Sequence, residues 1–389
     1  MNSTRTILFS LVPVTILLLI LEIVGRVIYP YDIDARGLLK AERDPRLPLS
    51  YLSLAVDGKT ILHDIHRLPR RYIPFLGWIG SPDIELPTIS TNSIGFRDGP
   101  IEKRKPGERR VLILGGSTAW GLGASSNEHT VASTLESLLN EGTEGHVYRV
   151  MSGAYLGWQS RNELIALMEY HDRFDPDFVI VLTGYNDLYS LTFGRDRELH
   201  MRPESRMLAN AVDKSLRPMS TARAIRKVAG SLGIWRIIVY FKERAALGTP
   251  KGGTVRYEAE VANRVIPDIV DRYVSMASYA QRHGSELIIA VQPDIFTSGK
   301  PLAEQEAGVR QRFTERWEHI AETYAKYRSD LYGQLQESLA SGGTKVIDLA
   351  LDTVDAPVFL DACHLNDHGY LQLGRSILEG IEDRLIEPP

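Results

Sequence analysis

The sequence holds a single cysteine, Cys363, in 389 residues, so no disulfide can form within the chain. That scarcity fits a cytosolic protein, and equally a large exported domain whose core needs no covalent staple. Several familiar signatures are missing as well. No G-x-S-x-G occurs, which excludes the strained serine elbow of the α/β-hydrolases. No G-x-x-x-x-G-K-[ST] occurs, which excludes a P-loop, and Gly115, Gly116, Gly121 and Gly123 miss the G-x-G-x-x-G spacing of a dinucleotide site. Charge of one sign is scarce: 45 Lys and Arg against 49 Asp and Glu give a net −4, which argues against a general nucleic-acid binder. No clustered set of His, Cys and Asp suggests a metal, and no cofactor is expected.

Long hydrophobic runs are also absent, with one exception. Ile7 to Leu21 carries no charge and, with Glu22 tolerated, the run continues through Ile23, Val24 and Gly25 to Arg26. A membrane-spanning helix needs about 20 apolar residues and a signal-peptide core about 7–15. No small-x-small cleavage site follows. Residues 1–29 therefore read as an uncleaved single-pass transmembrane anchor, with the rest of the chain on the periplasmic or extracytoplasmic side. A cleaved signal and a buried helix are the alternative readings. Arg5, Arg26 and Arg36 flank the run on both sides and orient it poorly.

Residues 30–107 are rich in Pro, Asp and Arg, show little periodicity, and read as a stalk and lead-in. From 108 the pattern changes. RRVLILGG, HVYRVMSG, PDFVIVLTG, SELIIAVQP and TKVIDLA are short apolar runs of strand length. Between them HTVASTLESLLNEG and SRNELIALMEYHDRF have helical spacing, the latter with Ser160 and Glu163 at capping-box distance. Further helical stretches cover 261–283 and 301–340. Strands that are apolar throughout and alternate with helices imply a parallel sheet covered on both faces. The expected fold of 108–389 is thus α/β. Residues 191–260 interrupt it as a helical insertion with 14 Lys and Arg against 7 Asp and Glu, leaving the remainder near −11. The insertion could form a lid, lean on anionic lipid or an acidic polymer, or simply pack on the sheet.

In doubly wound sheets, sites form outside the carboxyl ends of the strands. Strand one ends at Gly115-Gly116-Ser117-Thr118, strand two at Ser152-Gly153 with Gly157 just beyond, and strand three at Gly184-Tyr185-Asn186-Asp187. After strand five comes Asp361-Ala362-Cys363-His364. Singly, each has a plainer reading: a glycine turn, a helix cap, a surface ion pair or a fragment of a metal site. Together they bring to one edge the parts that acyl transfer needs. A serine hydroxyl needs an imidazole to take its proton, and the imidazole needs a carboxylate to fix its tautomer. An oxyanion needs backbone N–H or amide donors aimed at it. Asp361 and His364, three apart, lie on one side of a turn. Cys363 between them reads as a small packing residue, and Asn366 as the cap of a following helix.

These motifs resemble the SGNH/GDSL hydrolase family. The turn GGST carries Ser117 at the position of that family's nucleophile. SGAYLGWQS places Gly157 as an oxyanion glycine, GYND supplies Asn186 as a further oxyanion donor, and DACH supplies the base His364 with its partner Asp361. Block two of the family often carries an asparagine where this chain has Ser152. The segment TNSIGFRD, residues 91–98, is similar to the lead-in of membrane-anchored bacterial members. The resemblance covers about 108–385 and implies a flavodoxin-like three-layer α/β/α sandwich with a five-stranded parallel sheet. It further implies a serine esterase with catalytic Ser117, His364 and Asp361 and an oxyanion hole of Ser117, Gly157 and Asn186. The expected substrates are O-acyl esters, acetyl foremost, on a cell-envelope carbohydrate or lipid. An O-acyltransferase acting on an exported polysaccharide, or a non-catalytic envelope assembly protein, are the competing readings.

Overall fold

The computed structural model of the chain describes residues 3–28, 54–142, 147–194, 252–352 and 354–385. The chain divides into two units, one of residues 1–43 and 201–251, the other of 44–200 and 252–389. Of the first, the structure describes helix α1 (Ser3–Ile28), with Pro13 inside it. Its side chains are described for residues 12–24, where Val12, Val14, Ile16 to Ile20 and Ile23 are each about half exposed. Among the described residues no helix is long and apolar enough to cross a membrane. Most of the insertion expected at 191–260 lies outside the described residues.

The second unit begins with α2 (Gly58–Arg67) and an antiparallel pair, β1 (Arg70–Ile73) with β2 (Gly77–Gly80). The α/β part follows: β3 (Glu108–Gly115), α3 (Ser117–Trp120), α4 (Val131–Gly142), β4 (Val147–Ser152), α5 (Ser160–Phe174), β5 (Phe178–Thr183) and α6 (Tyr185–Thr192). It continues through β6 (Gly253–Thr254), α7 (Ala259–Arg282), β7 (Glu286–Val291), α8 (Glu304–Arg316), β8 (Trp317–Glu318), α9 (Ile320–Ala340), β9 (Lys345–Asp348) and α10 (Asp367–Leu385). Strands β6 and β8 form a small parallel pair of their own.

The main sheet has five parallel strands in the order β4-β3-β5-β7-β9. Each of the five apolar runs is a strand of this sheet. The middle strand β5 is buried at every position, as a strand covered on both faces must be. Right-handed crossovers then dictate the helix layers. The chain steps outward from β3 to β4 and turns back to β5, so α4 and α5 fall on opposite faces. Accordingly α4 packs on α10, while α7 packs on both α5 and α9. The reversal between β3 and β5 is a topological switch point, where the loops after the two strands part and leave a crevice.

Three details differ from the sequence reading. The expected stalk is not separate, because residues 54–107 belong to the same compact unit and bury Ile79, Ile94, Phe96 and Arg97. The cap of α5 is Gln159 rather than Ser160: the Asn162 side chain accepts from the Gln159 N–H, and Ser160 and Glu163 turn inward to buried partners. The long helical stretch at 301–340 is two helices, because the chain turns at β8 and at His319, which adopts φ 64°.

Candidate active site

Strand β3 delivers Ser117 to the switch point at the first residue of α3, where its N–H has no acceptor within the helix. The Gly116 that precedes it has no alternative. A Cβ there would lie 2.5 Å from Nδ2 of Asn186 and 3.2 Å from the carbonyl of Trp158. The loop after β3 and the start of α6 therefore touch through bare backbone. Asn186 is held in place at both ends. Its Nδ2 donates to the Trp158 carbonyl at 2.7 Å, and its own carbonyl accepts from Nε2 of Gln159 at 3.1 Å. An amide carries two protons, so one remains to point into the crevice.

Gly157 immediately precedes Trp158, in the turn that closes from the Trp158 N–H to the Tyr155 carbonyl. It has φ 74° and open space where a Cβ would be, so backbone conformation alone accounts for the glycine. The turn hangs on β3, because Tyr155 N–H donates to the Gly115 carbonyl and Gly153 N–H to that of Ile113. Ser152 donates its N–H to buried Asp98, while its Oγ is buried with no partner among the described residues.

The fourth contribution comes from a tight loop between β9 and α10. Phe359 and Leu365 pair across it, the Leu360 N–H donates to the His364 carbonyl, and Asn366 caps α10 through the Gly369 N–H. Within the loop Asp361 Oδ1 accepts the N–H groups of Cys363 and His364, at 3.0 and 2.9 Å, leaving Oδ2 to face His364 Nδ1 at 2.6 Å. Nε2 of His364 lies 2.7 Å from Ser117 Oγ. Burial alone would raise the Asp361 carboxyl, but the charge of His364 and three hydrogen bonds outweigh it and hold the group below its ordinary value. An ionised carboxylate can only accept, so Nδ1–H donates to it, and in the neutral ring the Nε2 lone pair faces the serine. The structure thus brings Ser117, His364 and Asp361 into one hydrogen-bonded line, with Asn186 against the preceding glycine and Gly157 one residue from the anchor of that amide.

Several supporting residues have no signal in the sequence beyond their residue type. Arg97, buried, donates to the carbonyls of Gly121 (2.5 Å), Thr88 (2.6 Å) and Ala124 (3.1 Å) and lies over the Trp120 ring, clamping the segment after Ser117. Desolvation lowers its pKa to about 10. Asp98 joins the end of β4 to Arg149. Glu306 accepts the Val358 and Phe359 N–H groups and pairs with Lys300, both side chains fully buried, so it fixes the base of the Asp361–His364 loop. Gln292 donates to Thr118 Oγ1, which in turn donates to the Cys363 carbonyl. The segment TNSIGFRD, which holds Arg97 and Asp98, is the one stretch of this support that the sequence had marked.

No protein-family model matches the chain, and no curated protein does. Solved structures similar to it include the lipase/acylhydrolase from Enterococcus faecalis, at 15% identity, covering 72% of this chain and 99% of that one, TM-score 0.39. Others are a carbohydrate acetylesterase family member from Sinorhizobium meliloti (14%, 70% and 97%, TM-score 0.37) and a GDSL-like lipase from Bacteroides thetaiotaomicron (14%, 71% and 89%, TM-score 0.35). The fold assignment stands on the strand order and the switch point, not on these likenesses.

Proposed function

We propose that this chain is a serine ester hydrolase of the SGNH/GDSL type. The observation that carries the reading is the unbroken line Ser117 Oγ, His364 Nε2, His364 Nδ1, Asp361 Oδ2 at hydrogen-bond distances, ending in a carboxylate kept ionised. Ser117 Oγ attacks the ester carbonyl while His364 takes its proton, and Asp361 stabilises the imidazolium that forms. The negative charge on the former carbonyl oxygen is met by the N–H groups of Ser117 and Gly157 and by the Asn186 amide. Collapse of this intermediate breaks the C–O bond, and His364 returns the proton to the departing alcohol. Water then repeats the sequence on the acyl-serine, releasing the acid and restoring Ser117. The substrates in this reading are O-acyl esters, acetyl foremost, on a cell-envelope carbohydrate or lipid. The similarity to solved acylhydrolases and an acetylesterase is consistent with it.

Ser117→Ala should lower turnover of a short-chain aryl ester by at least about 10⁴-fold with an unchanged circular dichroism spectrum. Undiminished turnover would sink the assignment.

The proposal extends to location. The run from Ile7 to Val24, with its row of exposed aliphatic side chains on α1, acts as a single-pass anchor that holds the catalytic unit on the extracytoplasmic side. After carbonate washing the chain should stay with the membrane, and protease added to spheroplasts should degrade the catalytic unit. Release into the soluble fraction, or full protection, contradicts this.

A further inference from the structure

At the sheet edge away from Ser117, where the parallel strands begin, a second cluster of ligand-type side chains stands apart from the reaction. His171 lies in the last turn of α5, Asp172 follows it, and His283 caps the carboxyl end of α7. Asp172 Oδ1 is 3.3 Å from His171 Nδ1 and 3.8 Å from His283 Nδ1, and the three ligand atoms all lie within 4.8 Å of one another. Bonds of about 2.0–2.1 Å to a tetrahedral zinc ion place neighbouring ligand atoms about 3.3 Å apart. The cluster is therefore close to the spacing that one ion would impose.

Ser285 fixes which ring nitrogen of His171 faces the cluster. Ser285 Oγ lies 2.5 Å from the Pro176 carbonyl, an acceptor only, so the single hydroxyl proton is committed there. His171 Nε2, 2.8 Å from the same Oγ, must then be the donor of that contact. This leaves Nδ1 facing the Asp172 carboxylate at 3.3 Å, a gap that a second ring proton or a cation can fill. The pattern matches a metal-ligating histidine, which donates its second ring N–H to a fixed oxygen and so presents the other nitrogen to the ion. The carboxyl ends of two helices meet here, and their dipoles favour a cation. His171 is buried and pre-oriented, whereas Asp172 is 86% and His283 39% exposed, so solvent can reach the site and supply a fourth ligand.

We propose that His171 Nδ1, Asp172 and His283 Nδ1 form a binding site for a divalent transition-metal ion, zinc by its donor set, that ties the carboxyl ends of α5 and α7 together. The sequence hides it, because His283 is remote from the other two and no metal-site spacing links them.

The test uses the full chain in detergent, stripped with a chelator and titrated calorimetrically with zinc chloride, with cobalt(II) absorption as a report on coordination geometry. Wild type should bind one zinc ion and gain thermal stability. Asp172→Asn and His283→Gln should each weaken binding by about tenfold or more and lose the thermal gain, while aryl-ester turnover stays at the wild-type level. Absence of saturable binding to wild type would overturn the proposal. So would binding that persists undiminished in both variants, since the ion would then sit elsewhere, for instance on Asp361 and His364.

Discussion

Gly116 explains more of the site than any charged residue near it. With Asn186 Nδ2 only 2.5 Å from where its Cβ would be, Gly116→Ala must push the Asn186 amide off the Trp158 carbonyl or shift the turn that carries Ser117. Loss of one oxyanion donor costs roughly 10²–10³-fold in kcat. We expect Gly116→Ala to lower kcat by about that factor with little change in KM, and Gly116→Ala with Asn186→Ala to be scarcely worse than either alone. Additive losses would mean that the two residues act separately. That Ser117, His364 and Asp361 meet at one edge was legible because the sequence places each after a strand of a parallel sheet. Glu306 was not, because a buried ion that holds backbone N–H groups in place leaves no periodicity and no motif, and TNSIGFRD marked Arg97 and Asp98 without giving what they hold.

Elements show the same division. The strands of the sheet could be read because burial on both faces makes each an unbroken apolar run. The cap of α5 was misplaced by one residue because Ser160 and Glu163 are at capping spacing, yet both are drawn inward by tertiary partners. Glu163 shows what draws it. It accepts from Thr183 Oγ1 at 3.1 Å and from Tyr273 OH at 3.0 Å, tying α5 to β5 and α7 inside the core. Desolvation, with repulsion from Asp187 added, pushes its pKa up to about 8 from an ordinary 4.5. The folded state therefore holds the proton more tightly than the unfolded chain does. The stability linked to this group is complete below pH 4.5 and is lost as pH rises through about 8. Glu163→Gln, which cannot ionise, should remove that component. The difference in unfolding free energy between variant and wild type should shift in the variant's favour from pH 5 to 9, measured by urea titration at each pH. A difference that is flat across that range would show that Glu163 titrates normally in the folded protein.

At the scale of the whole molecule, the catalytic unit begins well before its sheet. Residues 54–107 look like a tether in sequence because they are polar and irregular, with strands of only four residues. Their order comes from contacts with the α/β part: Arg97 with the carbonyls of Gly121 and Ala124, Asp98 with Ser152, and Asn162 with the Leu76 carbonyl. A fragment of residues 108–389 would leave those groups unpaired, at about 1–3 kcal/mol each. It should be insoluble or lack a cooperative thermal transition, while a fragment from residue 44 onward folds and turns over ester. A well-folded 108–389 fragment would refute this. The lone cysteine has a use at this scale too. Cys363 is buried between Asp361 and His364, and desolvation raises its thiol well above its ordinary value, so a thiol reagent meets an unreactive group in the closed site. With no second sulfhydryl in the chain, every modification event reports one opening of the loop that carries His364, the base of the proposed mechanism. The protein thus contains its own clock for how often its catalytic line comes apart.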